Sequence, residues 1–113
     1  MIITVTSVRL RRLWHYFKLT YLALQIVRQT KTQKGFVKMK NTGFGYLHYI
    51  LSVWESEQDV KNFAGTGAHL AAMRARGSVA TEIRTYTYQS DRLPDWSEAK
   101  ALLEQRGKIL SFE

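Results

Sequence analysis

Residues 46–73 constrain the fold most, because a strand pattern passes there directly into a helix pattern. Residues 46–54 are aromatic, β-branched or otherwise apolar, apart from His48 and Ser52. This pattern is typical of a strand that is covered on both faces, rather than one with a solvated side. We therefore expect this strand to lie inside the sheet.

The residues that follow predict a sharp helix start and a second helical piece. Ser56 stands where a helix N-cap is expected, and acidic residues in the first turn suit the positive end of the helix dipole. Gly65 and Gly67 then interrupt the helical pattern. A new helical piece that contains His69 and Met73 is expected after them.

The rest of the chain alternates between strand and helix patterns. Residues 2–8 and 79–88 alternate at period two, and residues 36–40 do so with the lysines that are typical of an edge strand. Within residues 9–28, apolar residues recur at the spacing of a helix. Residues 95–106 predict a C-terminal amphipathic helix, which begins with a capping-box pattern.

The first helix carries two groups of apolar residues. We expect the larger group to face the sheet, with His15 pointing away from it, and the smaller group to meet another subunit or the C-terminal segment. The larger group is Leu10, Leu13, Trp14, Phe17, Tyr21 and Leu24, and the smaller group is Leu19, Leu22 and Ile26.

The element order βαββαβ predicts an α+β, ferredoxin-like fold, in which two helices cover one face of a four-stranded antiparallel sheet. Residues 1–88 form this domain, and residues 89–113 form a C-terminal helical extension that packs on it. We expect the helix of this extension to dock on the outer side of the first helix, of the same chain or of the partner subunit, and residues 109–112 to continue as an added edge or clamp. The uncovered apolar sheet face predicts a homodimer.

Composition excludes several classes of chemistry. The chain has no Cys, so disulfides, thiolate catalysis and cysteine-ligated metal centres are ruled out. No Gly-rich phosphate loop or His-x-x-x-His spacing is present in the sequence. Basic residues interrupt the first apolar stretch, which argues against a signal peptide and against a membrane span. We expect a cytoplasmic protein.

Charge is unevenly distributed along the chain. Residues 1–54 hold nine Lys or Arg residues and no Asp or Glu, and the net charge of the whole chain is +8. Such asymmetry is typical of a surface that meets nucleic acid, anionic lipid or an acidic ligand, and equally of a solvated face with a loop. Because no nucleic-acid-binding motif accompanies it, we expect no nucleic-acid partner.

One part of the sequence resembles a known family. Residues 53–63 read VWESEQDVKNF and residues 68–73 read AHLAAM. The pattern is a tryptophan that ends the third strand, an acidic helix start, an aromatic residue nine positions on, and a histidine in the next helix. It resembles the dimeric α/β-barrel superfamily, and within it the antibiotic biosynthesis monooxygenase type, including haem-degrading monooxygenases, and spheroidene monooxygenase-like proteins. The resemblance covers roughly residues 1–88.

The resemblance implies a dimeric α/β barrel with a pocket between helices and sheet in each subunit. Members bind aromatic, polyketide, carotenoid or haem ligands there. His69 is the nearest counterpart of the histidine that ligates haem iron in the haem-degrading branch, so the implied cofactor is either none or haem. A structural, hydrogen-bonded histidine is the alternative interpretation of His69.

Several other residues are candidates for a site. His48 on the central strand can act as an acid or a base, or can pack at a dimer interface. Aromatic walls suit a flat apolar ligand, although aromatic residues at such spacings also form cores. Arg84 can hold a ligand carboxylate, or can pair with Glu82 or Glu55. The ligand-binding candidates are Trp54, Phe63, Tyr49, Arg84 and Met73, and the catalytic candidates are His69 and His48.

These features together predict a monooxygenase-like homodimer that acts on a hydrophobic or aromatic small molecule. In the cofactor-free form a pocket histidine deprotonates the substrate, which then reacts with oxygen while apolar walls exclude water. The alternative is a non-catalytic, ligand-binding or stress-related homodimer.

Overall fold

Five antiparallel strands form one sheet in the computed structural model, which describes residues 1–64, 76 and 79–111. The strand order is β2-β3-β1-β4-β5, and its first four strands have the ferredoxin-like arrangement that the sequence predicts. The α+β fold class is therefore confirmed. The elements are β1 (Ile2–Leu10), α1 (His15–Lys31), β2 (Phe36–Phe44), β3 (Leu47–Trp54), α2 (Glu57–Ala64), β4 (Ala80–Gln89), α3 (Trp96–Arg106) and β5 (Lys108–Ser111).

The central strand β1 pairs along its length with both β3 and β4. Because successive side chains of a strand alternate between faces, β1 supplies buried residues to both sides of the sheet. Ile3 and Val5 are fully buried on one side, and Val8 and Leu10 are buried on the other. Two separate cores follow from this one strand.

Helix α1 packs on the sheet through the smaller of its two apolar groups. Leu19 and Leu22 lie against Val8 and Leu10, whereas the larger aromatic group is mostly exposed to solvent. The predicted orientation of this helix is therefore wrong. His15 is correspondingly buried, with 8% of its surface exposed, instead of pointing away from the sheet. The sequence pattern sets the helical period, but it does not select the buried face when two faces are apolar.

Helix α2 begins as the sequence predicts. The Ser56 hydroxyl lies 3.2 Å from the backbone nitrogen of Asp59, which donates to it, and 2.8 Å from the Asp59 carboxylate, to which it donates. The two bonds close the first turn of the helix and hold the Asp59 side chain, which is buried. The end of β3 is thereby joined directly to a helix.

Helix α3 docks on the opposite sheet face from α1, which corrects the predicted docking on the outer side of α1. Ala99 and Leu103 are buried against Ile3, Val5 and their neighbours on β3. The helix starts at Asp95, whose carboxylate accepts from the backbone nitrogen of Glu98 at 2.8 Å. The sheet face that was expected to meet a second copy is therefore covered in part by the chain itself.

The tail adds a fifth strand at the edge of the sheet. β5 pairs antiparallel with β4, from Thr85 opposite Lys108 to Glu82 opposite Ser111. The sequence predicts the tail as an added edge or clamp, and within the described residues it forms an edge. The sheet thus has one strand more than the predicted four.

Truncating the buried contact of α3 should destabilise the fold. Leu103 is 2% exposed and packs among branched residues of β1 and β3, so Leu103→Ala leaves a cavity there. We expect Leu103→Ala to lower the free energy of unfolding by about 3 kcal/mol in urea titrations. Gln105→Ala, at an exposed position of the same helix, is the control and should leave the stability nearly unchanged. Equal stability of the two variants would contradict the docking of α3 on the sheet.

Candidate functional site

A cavity of about 730 Å³ lies between α1 and the β2–β3 half of the sheet. Most of its lining side chains are aliphatic or aromatic, and His48 supplies the imidazole among the described lining residues. The lining from α1 is Leu13, Tyr16, Phe17, Leu19, Thr20, Ala23, Leu24, Ile26 and Val27, and the lining from the β2–β3 hairpin is Met39, Asn41, Thr42, Gly43, Phe44, Gly45, His48, Tyr49 and Ile50.

The cavity exists because α1 rests on one half of the sheet only. Its buried side packs over β1 and the start of β4, so the neighbouring side overhangs β3 and β2 without filling the space between them. Small side chains line that space, with Thr20 and Ala23 on the helix and Gly43 on β2. A cavity of this kind, apolar with few polar groups, is typical of a small-molecule site.

His48 is held in a defined orientation by its own hairpin. Its Nε2 atom lies 2.9 Å from the carbonyl oxygen of Gly45. A carbonyl oxygen only accepts hydrogen bonds, so Nε2 carries the proton in this bond and the lone pair of the neutral ring is on Nδ1. The Tyr16 ring of α1 lies 5.3 Å from the imidazole, measured between ring centroids. The Nδ1 atom, which lies beside Gly43, is thus the hydrogen-bond acceptor of the neutral ring.

Gly43 provides the room that the imidazole occupies. Gly43 is directly opposite His48 in the β2–β3 register. A Cβ atom placed on Gly43 would lie 2.5 Å from Nδ1 and 2.7 Å from the Cα atom of His48. Nonbonded heavy atoms do not approach so closely, so only glycine at this position leaves the imidazole ring where it is. This juxtaposition cannot be predicted from the sequence, because it depends on the register of the two strands.

Two predicted ligand-binding residues lie away from this cavity. Trp54 is 1% exposed, and its ring centroid lies 4.9 Å from that of Phe63 and 5.7 Å from that of Phe36. These rings form an aromatic cluster where β3 meets α2, and they are absent from the described lining of the cavity. Their contacts are those of core residues, the alternative that the sequence left open.

Arg84 and Tyr49 border a smaller cavity of about 260 Å³ on the α3 side of the sheet. The Nε atom of Arg84 lies 2.8 Å from a carboxylate oxygen of Glu82, which is one of the pairings that the sequence suggests. The Lys100 ammonium lies 4.8 Å from the centroid of the Tyr49 ring. Tyr49 also contributes atoms to the larger cavity. Arg84 is therefore separated from His48 by the sheet.

His69 and Met73 lie outside the described residues, so the predicted haem ligand has no described position. Among residues 1–64, 76 and 79–111, no group of three His, Asp or Glu side chains is arranged to hold a metal ion. No helix in this described part of the chain is long and apolar enough to cross a membrane.

A methyl group at Gly43 should disturb His48. Because its Cβ would collide with both the ring and the backbone of His48, we expect Gly43→Ala to lower the melting temperature and to shift the His48 imidazole resonances in long-range ¹H–¹⁵N spectra. In the unmodified protein the same spectra should show the proton on Nε2. The control is Gly45→Asn, where a Cβ meets open space and the φ of 65° is one that Asn tolerates. Unchanged His48 resonances in Gly43→Ala would contradict the described packing.

Neither a protein-family model nor a curated protein sequence matches this chain. Solved structures do match it. A proposed antibiotic biosynthesis monooxygenase from Deinococcus radiodurans is 14% identical, with a TM-score of 0.73 over 84% of this chain and 97% of that one. The Mycobacterium tuberculosis protein Rv0793 is 12% identical, with a TM-score of 0.72 over 84% of this chain and 100% of that one.

A cofactor-independent oxygenase from Streptomyces nogalater is also similar in structure. It is 13% identical, with a TM-score of 0.66 over 83% of this chain and 97% of that one. Identities this low leave the fold as the shared property, since one fold hosts many activities. The chain thus has the fold of the antibiotic biosynthesis monooxygenases, as its sequence resemblance implies.

Proposed function

We propose that this chain binds a hydrophobic or aromatic small molecule in the cavity between α1 and the β2–β3 hairpin, and oxidises it as a monooxygenase. One observation carries the proposal: an apolar cavity has on its wall an imidazole whose Nε2 proton is engaged by the Gly45 carbonyl. The cavity volume of about 730 Å³ lies within the usual range for small-molecule sites.

The lining determines the kind of ligand. Leu13, Phe17, Ile50 and their neighbours offer apolar contacts, and Asn41 and Thr20 offer hydrogen bonds to a few polar groups of the ligand. No Lys, Arg, Asp or Glu side chain is among the described lining residues of this cavity. A charged substrate would therefore be poorly solvated here, whereas an aromatic ring system with one or two oxygen atoms suits the lining.

His48 supplies the chemistry. Its Nδ1 accepts a proton from a weakly acidic C–H or O–H group of the substrate, and the Nε2 bond to the Gly45 carbonyl strengthens as the ring becomes positively charged. The substrate anion then donates electrons to molecular oxygen, which is the oxidant. For an activated methylene group, two hydrogen atoms leave, one oxygen atom enters the product as a carbonyl, and the other leaves as water.

The similarity to a cofactor-independent oxygenase supports this form of the reaction, because the two chains share the fold in which such chemistry occurs. The similarity is one of fold only, so the proposed chemistry depends on the His48 geometry. A non-catalytic, ligand-binding homodimer remains the second candidate. Homodimerisation itself is a prediction from sequence, and α3 occupies part of the face on which it was based.

Oxygen uptake with anthrone, a tricyclic aromatic ketone with an acidic methylene group, tests the proposal. We expect the protein to accelerate oxygen consumption over the uncatalysed reaction, with one oxygen molecule consumed per anthraquinone formed. His48→Gln removes the proton acceptor, so kcat should fall by about 10²–10⁴-fold while KM changes little. Ile50→Trp fills the cavity and should abolish ligand binding, whereas Val37→Trp, at an exposed β2 position outside the lining, should not.

The outcomes separate the candidates. Ligand binding that Ile50→Trp abolishes, without any oxygen uptake for a series of acidic aromatic compounds, would favour the non-catalytic candidate. Unchanged turnover in His48→Gln would remove His48 from the mechanism. Loss of activity in Val37→Trp as well would mean that the bulky substitution acts through folding, which circular dichroism of the variant would reveal.

Haem ligation by His69 is a separate prediction. Imidazole nitrogen is a common axial ligand of haem iron, and His69 lies outside the described residues, so its geometry gives no support. Incubation with haem should produce a Soret band that His69→Ala removes and His48→Gln retains. Absence of any haem uptake by the intact protein would exclude haem ligation by His69.

A further inference from the structure

The solvent side of α1 carries aromatic residues that the fold leaves uncovered. Trp14 and Tyr21 are each 62% exposed, and Phe17 is 76% exposed. With Leu24, they recur at intervals of three and four residues, so they share one side of the helix, opposite the partly buried Leu19 and Leu22. We call these four residues the outer face of α1. Exposed apolar residues gathered in one patch mark an interaction surface more often than isolated ones do.

Basic residues accompany the outer face. Arg12 precedes the helix, Lys18 lies within it, and Arg28 and Lys31 lie in its last turn, all with exposed side chains. Residues 1–54 contain no Asp or Glu. A helix that combines Trp, Phe, Tyr and Leu with Lys and Arg has the composition of helices that lie in a membrane interface.

The tip of the β2–β3 hairpin extends this surface. Phe44 is 94% exposed and Tyr46 is 47% exposed. Phe44 and Phe17 both line the larger cavity, so exposed aromatic residues from two elements stand at its entrance. The entrance and the outer face of α1 are therefore continuous.

We propose that the outer face of α1 and the hairpin tip dock on the surface of an anionic lipid membrane, and that the cavity takes its hydrophobic ligand from the bilayer. The second part rests on the proposed function, whereas the docking itself does not. Aromatic side chains enter the headgroup region, and the bases are attracted to anionic headgroups. A ligand that dissolves in lipid then reaches the cavity without crossing water.

Charge favours lipid over a second copy of the chain. A two-fold contact through this face would bring Arg12 and Arg28 of one copy toward the like charges of the other, which repel them. An anionic bilayer supplies the opposite charge and an apolar interior at once. These are the two properties that the face combines.

Flotation with vesicles tests the docking without any ligand. We expect the full chain to float with phosphatidylcholine vesicles that contain about one third phosphatidylserine, and not with pure phosphatidylcholine vesicles, and to be released as salt rises. The emission of Trp14 should shift to shorter wavelength on binding. Trp14→Phe should lose this shift, because Trp54 is already buried and Trp96 packs against the core under α3, on the opposite sheet face.

Charge and aromatic variants locate the surface. Arg12→Gln combined with Arg28→Gln should weaken binding to anionic vesicles by about tenfold or more. The matched control is Arg106→Gln combined with Lys108→Gln, which removes the same charge at exposed positions of α3 and β5. Tyr21→Ser should weaken binding as well, and Ile109→Ser on β5 should not.

Other outcomes overturn the proposal. Equal flotation with neutral vesicles, no flotation, or equal losses in the test and control variants would exclude this docking surface. Light scattering that shows a dimer converted to a monomer by Tyr21→Ser would assign the face to a second copy. Tighter binding to RNA than to anionic vesicles would assign it to nucleic acid. Ligand binding in vesicle-free solution is measured separately, so failure of the docking and failure of the proposed function are distinguishable.

Discussion

Pairing of β1 with both β3 and β4 is the constraint on which the rest of the structure depends. Because β1 is central, its alternating side chains must be covered on both faces. Ile3 and Val5 require a cover that α3 provides, and Val8 and Leu10 require one that α1 provides. The C-terminal extension is therefore part of the core. Without it, the face of β1 that carries Ile3 would be open to solvent.

The cavity follows from the same arrangement. Covering β1 and the start of β4 places α1 to one side, so β2 and β3 are left with an overhanging helix instead of a packed one. Packed core and open cavity are thus divided between the two halves of the sheet. The half that supplies His48 borders the cavity, and the aromatic cluster of Trp54 and Phe63 lies where β3 meets α2.

Much of the fold is predictable from sequence, and less of the site. Period-two patterns and the Ser56 and Asp95 caps identify strands and helix starts locally, because each depends on residues close in sequence. The buried face of α1 is not predictable, since Trp14 and Phe17 are as apolar as Leu19 and Leu22. His48 is recognisable as a candidate, but its partner Gly43 is not, because their juxtaposition depends on the register of two strands.

The hydrogen bond between His48 and the Gly45 carbonyl joins groups only three residues apart. The tautomer of the imidazole is therefore decided when the hairpin closes, before any ligand arrives. A ring that is oriented by its own turn needs no further rearrangement to keep that tautomer, and the cost of orienting it belongs to folding. The hairpin is in this respect self-contained, because it carries the histidine, the glycine opposite it and the carbonyl that orients the ring.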